Sequence, residues 1–239
     1  MQIPLLDQDN PQFPDPRDAL AEPDGLLAAG GNLHSQTLLR AYHCGIFPWY
    51  QDGDPILWWS PATRCVLEPS ALHLSKSLRK TLRRNDYQVT VDRSFDQVIR
   101  ACSEPRDEDG ATWITDEMIA AYIQLHNQSE SHSIEVWRDG DLIGGLYGVT
   151  VGSLFCGESM FSRCADGSKI AIAHLCRWGA ESGLKLIDCQ LVNPHLSSLG
   201  AGSIDRATFL TELASYRDDI LNWPLSAPNE TAARLHFSW

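Results

Sequence analysis

The sequence predicts an α+β protein, on three observations. Residues 133–138, 141–151 and 154–162 are strand-like runs separated by Asp139-Gly140 and Gly152-Ser153, two-residue turns of the primed types that match the twist of paired strands. The stretch 168–182 carries Ile170, Ala173, Leu175 and Trp178 at helical spacing and is closed by Gly183. A further apolar run, 184–192, reads as a buried strand. The helix is long enough to return the chain by a crossover, so this last strand is expected beside the one that contains Glu158.

The elements before the meander follow from caps and periodicity. Residues 1 to about 63 are rich in Pro and Gly and contain a short helix candidate, with Ser35 as its N-cap and Gly45 as its stop. Phe47, Trp49, Tyr50, Trp58 and Trp59 then crowd into one short stretch, the density expected where a loop region packs on a second domain or on a ligand. Ser75 caps a helix running to about Arg84. On it Lys76, Arg79, Lys80, Arg83 and Arg84 fall on one face and Leu74, Leu78 and Leu82 on another. Residues 87–92 read as a strand, Ser94 and Gln97 have capping-box spacing, and Thr115 opens a helix with Asp116 and Glu117 in its first turn.

Composition excludes several classes. With 239 residues and 43% hydrophobic content the chain can bury a real core. Its start lacks a basic region followed by a long apolar stretch, and its longest uncharged run is broken by glycines, so neither a secretory signal nor a membrane helix is expected. Seven cysteines without a C-x-x-C pair argue for reduced thiols in the cytoplasm, and the eight histidines show no ligand spacing, so no metal is expected. The net charge of −12 opposes non-specific nucleic-acid binding. A polyanion must meet a local basic patch, and the stripe from Lys76 to Arg84 is the patch available, unless it only faces water.

Three polar side chains stand where apolar ones belong. In an extended strand Asp188 and Gln190 share one face and Ile187, Cys189 and Leu191 the other. Burying an unpaired amide costs roughly 2–7 kcal/mol, and an unpaired carboxylate more. The two groups therefore either satisfy one another and nearby backbone, or face a cavity holding a polar ligand. Glu158 on the neighbouring strand adds a third, and acidic groups gathered in one cleft suit a cationic ligand.

The stretches "EPDGLLAAGGNL", "AYHCGIFPWY", "DPILWWSP", "TWIT", "HSIEVWRDGDLIGGLYGV", "LFCGESMFS", "SKIA" and "KLIDCQLVNPHLSSLGA" resemble, in order and spacing, the bacterial leucyl/phenylalanyl-tRNA protein transferases. The resemblance implies a small N-terminal α/β domain, residues 1–63, packed on an acetyltransferase-like mixed-sheet domain, residues 64–239. It implies transfer of Leu or Phe from charged tRNA to the α-amino group of proteins beginning with Arg or Lys, which marks them for degradation. It places Asp188 and Gln190 in the catalytic site and Glu158 at the substrate peptide. It puts Trp49, Trp113 and Phe155 in the aminoacyl pocket, with Leu146 and Leu175 at positions often larger or differently shaped in the family, and the stripe Lys76 to Arg84 on the tRNA acceptor stem. The implied partners are aminoacyl-tRNA and protein, with no membrane, no DNA and no cofactor.

An aminoacyl ester is already activated, so the reaction needs a neutral amine held against a carbonyl, not a covalent nucleophile. On this reading Asp188 orients Gln190 and assists proton removal, Gln190 holds the amine or the oxyanion, and Glu158 holds the cationic first residue. A coenzyme A-dependent acyltransferase is the alternative on the same fold, disfavoured because "SRCADGSKIA" lacks the glycine spacing of a phosphate loop. A non-catalytic adaptor for basic N-termini would need Glu158 but not Asp188 and Gln190.

Overall fold

The computed structural model describes residues 3–105, 112–224 and 233–239. Strands β1 (Leu5–Leu6), β2 (Leu26–Gly30), β3 (Phe47–Pro48) and β4 (Leu57–Trp59) form a four-stranded sheet in the order β1-β2-β4-β3, with α1 (Ser35–His43) between β2 and β3. The pair β1-β2 is parallel and the others are antiparallel. Ser35 is the first helical residue of α1, not its cap. His34 holds the N-cap position without a side-chain cap bond, and Asn32 Oδ1 accepts from the His34 N–H and the Thr37 hydroxyl, just ahead of and within the first turn. The aromatic stretch divides between core and surface: Trp58 is fully buried against Phe13, whereas Trp49 is 40% exposed.

A second sheet begins at β5 (Thr63–Leu67) and continues through α2 (Lys76–Arg84), β6 (Gln88–Val91), α3 (Phe95–Ser103), α4 (Asp116–Asn127) and β7 (Ser131–Arg138). Next come β8 (Asp141–Val151), β9 (Leu154–Ser162), α5 (Gly167–Ser182), β10 (Leu186–Gln190), α6 (Pro194–Ser198), β11 (Gly202–Asp205), α7 (Arg206–Tyr216) and β12 (Ala233–Arg234). The eight strands lie in the order β11-β5-β10-β9-β8-β7-β6-β12. Only β9 and β10, joined by the α5 crossover, are parallel. The meander β7-β8-β9 closes through the expected turns, with Asp139, Gly140 and Gly152 all at positive φ.

Side-chain patterning explains the packing. Leu78 and Leu82 of α2 turn into the core shared with α5, while all five of the helix's basic residues are exposed. Ser75 caps α2 by accepting from the Leu78 N–H at 3.2 Å, and Thr115 does the same for α4 with the Met118 N–H. Ser94 makes no side-chain cap. Its backbone N–H instead donates to the buried carboxylate of Glu135, so the capping-box reading fails there. The start of α5 sits directly on β8: a Cβ on Gly144 would come within 2.5 Å of the Gly167 backbone. Among the described residues no helix is long and apolar enough to cross a membrane.

Candidate active site

The parallel strands β9 and β10 pair only through Leu186–Leu154, Ile187–Phe155 and Asp188–Cys156, and then part. Each carries a bulge just beyond that point. On β9, Tyr147 of β8 faces Ser159 and Gly148 faces Gly157, which leaves Glu158 as the extra residue. On β10, Asp188 faces Val66 and Gln190 faces Cys65, which leaves Cys189 extra. A bulge bends its strand and re-aims side chains. Gly148 is required opposite the first, since a Cβ there would meet the Cys156 carbonyl at 2.2 Å. Gln190 is held at φ 60°, a left-handed conformation that costs a non-glycine residue energy and needs its surroundings to enforce it.

The two bulges bring Glu158 and Gln190 together. The Gln190 Nε2 donates to Glu158 Oε1 at 2.7 Å, and the Tyr122 hydroxyl donates to Oε2 at 3.0 Å. Tyr122 is in turn hydrogen-bonded to the hydroxyl of Tyr42. Burial pushes the Glu158 carboxyl up to about 7, Tyr42, Tyr122 and the Gln190 amide partly oppose it, and the negative charge of Asp188 adds to it. A carboxyl so poised can hold or take a proton near neutrality.

Asp188 does not face the cleft. The extra residue of β10 breaks the alternation, so Ile187, Cys189, Gln190 and Leu191 all line the cavity, while Asp188 is 0% exposed behind them. Its Oδ1 accepts from Arg64 Nε at 2.8 Å and from the Gln190 backbone N–H at 2.9 Å, and its Oδ2 accepts from Arg64 Nη2 at 2.6 Å. The Arg64 guanidinium also donates to the Gly45 carbonyl and lies between the rings of Phe47 and Phe209. The expected convergence of three side chains on one cleft is therefore corrected to two. Asp188 holds the Gln190 backbone N–H from behind and does not itself reach the cleft. Arg64, Tyr42 and Tyr122 escaped the sequence reading; the one signal was a lone arginine in the apolar run "RCVL", as out of place as Asp188.

The cleft opens into a cavity of about 1070 Å³. Trp49, Trp113, Leu146, Phe155 and Leu175 line it, together with Met160, Ile172 and Ile187, so the apolar candidates do meet around one space. Trp49 and Leu191, each about two-fifths exposed, stand at its open side. Lys76, Arg79, Lys80, Arg83 and Arg84 lie outside the cavity on α2. Their helix is tied to the cavity wall: Thr81 donates to Asp166 at 2.9 Å at the start of α5, where Ser168 lines the cavity. Among the described residues Lys76, Arg79 and Lys80 have no ion-pair partner, while Arg84 meets Asp86 at 3.9 Å.

Comparison with known proteins places the chain in a family. Residues 66–214 match the family model described as leucyl/phenylalanyl-tRNA protein transferase, and residues 31–62 match the model of that family's N-terminal domain. The chain belongs to this family. Leucyl/phenylalanyl-tRNA protein transferases that resemble it include that of Chromobacterium violaceum, 54% identical over 88% of this chain and 90% of the relative. Those of Stutzerimonas stutzeri (52% identical, 89% and 94% covered) and Psychromonas ingrahamii (48% identical, 92% of each) are similar to it at like coverage. A solved structure of L-PGS from Bacillus licheniformis overlaps with a TM-score of 0.37 at 12% identity, over 70% of this chain and 53% of that one, too slight a likeness to carry an argument. Membership makes the chain an aminoacyl-tRNA protein transferase.

Proposed function

We propose that this transferase moves Leu or Phe from charged tRNA to the α-amino group of proteins that begin with Arg or Lys, in the cytoplasm, and so marks them for degradation. The observation that carries the reading is the Glu158–Gln190 pair, bonded at 2.7 Å on two adjacent bulges at the head of an apolar cavity. The cavity takes the aminoacyl side chain, with Trp49, Trp113 and Phe155 as walls and Leu146 and Leu175 setting its size. The α2 stripe, tied to that cavity through Thr81 and Asp166, takes the acceptor stem. The same reading divides the chain at residues 63 and 64, and the change of sheet between Trp59 and Thr63 supports it. The meander, crossover helix and parallel return strand support an acetyltransferase-like second domain.

The chemistry then needs few parts. The peptide enters as an ammonium beside Glu158, which meets its positive charge. A peptide amine titrates at about 7.7–8.0, close to the poise of Glu158, so one proton passes to the carboxylate at little cost. The neutral amine attacks the ester carbonyl, the N–C bond forms, the C–O bond to the terminal ribose breaks, and the leaving oxygen takes a second proton from the amine. Gln190 holds the amine or the developing oxyanion, and Asp188 keeps Gln190 in its left-handed conformation. The test is transfer of labelled Leu from Leu-tRNA to an Arg-initiated peptide, with an N-acetylated copy as control. Gln190→Ala is expected to lower kcat by about 100-fold. Wild-type rates from a folded Gln190→Ala protein would refute the assignment.

A further inference from the structure

We propose that Tyr42 and Tyr122 are positioning residues for the transfer: their hydroxyls, bonded to one another, hold Oε2 of Glu158 so that Oε1 keeps the Gln190 amide at the cavity. The proposal rests on the reading above that Glu158 works as a carboxylate. The run of hydrogen bonds begins in α1, crosses to α4 and ends on the β9 bulge, so three distant segments of sequence meet at one acid. Both tyrosines are buried, at 1% and 0% exposure, and their hydroxyls are placed by tight packing, Tyr122 against the edge of the Tyr147 ring. Neither hydroxyl is needed to fill space: a buried phenylalanine would fit each site, and a hydroxyl is retained only where its bond is worth the desolvation.

The consequence is electrostatic. The charged or titratable groups around Glu158 are Tyr42 on α1, Tyr122 on α4, Tyr147 on β8, Cys156 on its own strand, Arg64 on β5 and Asp188 on β10. Asp188 opposes ionisation of Glu158, and the donors from Tyr42, Tyr122 and Gln190 favour it. Removing a donor to the charged form therefore moves Glu158 up, away from about 7, and less of it is ionised at neutral pH.

The experiment is the pH profile of kcat/KM for an Arg-initiated peptide with wild type, Tyr122→Phe, Tyr42→Phe and the double variant. The peptide amine titrates identically in all four, so a difference belongs to the enzyme. Tyr122→Phe should move the acidic limb up by about one pH unit, giving about a fivefold loss at pH 7 that approaches tenfold at lower pH and narrows as pH rises. Tyr42→Phe should move it the same way, and the double variant at least as far as either single variant, because both hydroxyls favour the ionised carboxyl. A loss that is the same at every pH would overturn the proposal in favour of a packing role. Carboxyl titration of Glu158 by infrared difference spectroscopy, assigned with Glu158→Gln, gives the same answer without activity and serves if Tyr122→Phe transfers too slowly to profile. Failure of the wild type to transfer Leu, or full activity of Glu158→Gln, would instead sink the functional reading itself.

Discussion

At Asp188 both carboxylate oxygens are occupied, Oδ1 by Arg64 Nε and the Gln190 N–H and Oδ2 by Arg64 Nη2. Removing one partner of so buried a pair leaves the other charge uncompensated, which costs about 3–5 kcal/mol. Asp188→Ala and Arg64→Ala should each lower stability by that order in urea titrations. A matched apolar pair, Arg64→Met with Asp188→Leu, should recover most of the stability but not the transfer rate, because the Gln190 N–H then has no acceptor and its left-handed conformation loses its support. Recovery of both would show that Asp188 serves packing alone. The residues that mark this site were legible as oddities: a carboxylate and an amide in an apolar run demand partners wherever they lie. Their orientation was not, because alternation holds only while a strand and its partner match residue for residue. One extra residue at Cys189 separates the two side chains, and a bulge is defined by the partner strand, which the local sequence does not name.

Among the elements, α2 has the most one-sided chemistry: its apolar residues Leu78 and Leu82 are buried, and its five bases face outward with one weak ion pair among the described residues. Like charges at i, i+4 destabilise a helix, and phosphates would relieve them. Replacing Lys76, Arg79 and Lys80 by Gln should raise the KM for charged tRNA and reduce its salt slope by about one for each phosphate no longer neutralised, while the KM for peptide stays the same. An unchanged tRNA dependence would return the stripe to a solvated face. Helix α2, like the meander and the crossover helix, follows directly from periodicity, two-residue turns and a local cap. The expected caps at Ser35 and Ser94 fail differently: α1 already includes Ser35, which puts His34 at the N-cap position, whereas at Ser94 the Glu135 carboxylate from β7 takes the backbone N–H that Gln97 would have satisfied in a capping box. Helix ends that depend on groups outside the helix are set by tertiary structure, and local spacing reads them poorly.

Across the whole molecule, three buried titratable groups tie stability to pH with opposite signs. Burial pushes Glu135 and Glu158 up to about 7 and His174 down to about 4. Between about 4.5 and 7 the unfolded chain has released both carboxyl protons while the folded chain keeps them, so this contribution to stability falls as pH rises through that window and is level above it. His174 works the other way: below about 6.5 the unfolded ring gains a proton that the folded one refuses down to about 4, so stability falls as pH falls. From about 6.5 to 7 the carboxyls act alone. Thermal midpoints of wild type, Glu135→Gln and Glu158→Gln, measured from pH 5 to 8, separate the effects. Each amide adds a constant offset, but relative to wild type each variant should gain stability as pH rises, by at most roughly 3 kcal/mol, and the gain should end just above pH 7. A difference that does not vary with pH would mean that these carboxyls enter the fold already ionised. For Glu158 that result would also remove the proton poise on which the transfer mechanism depends, so the stability curve and the activity profile must bend at the same pH.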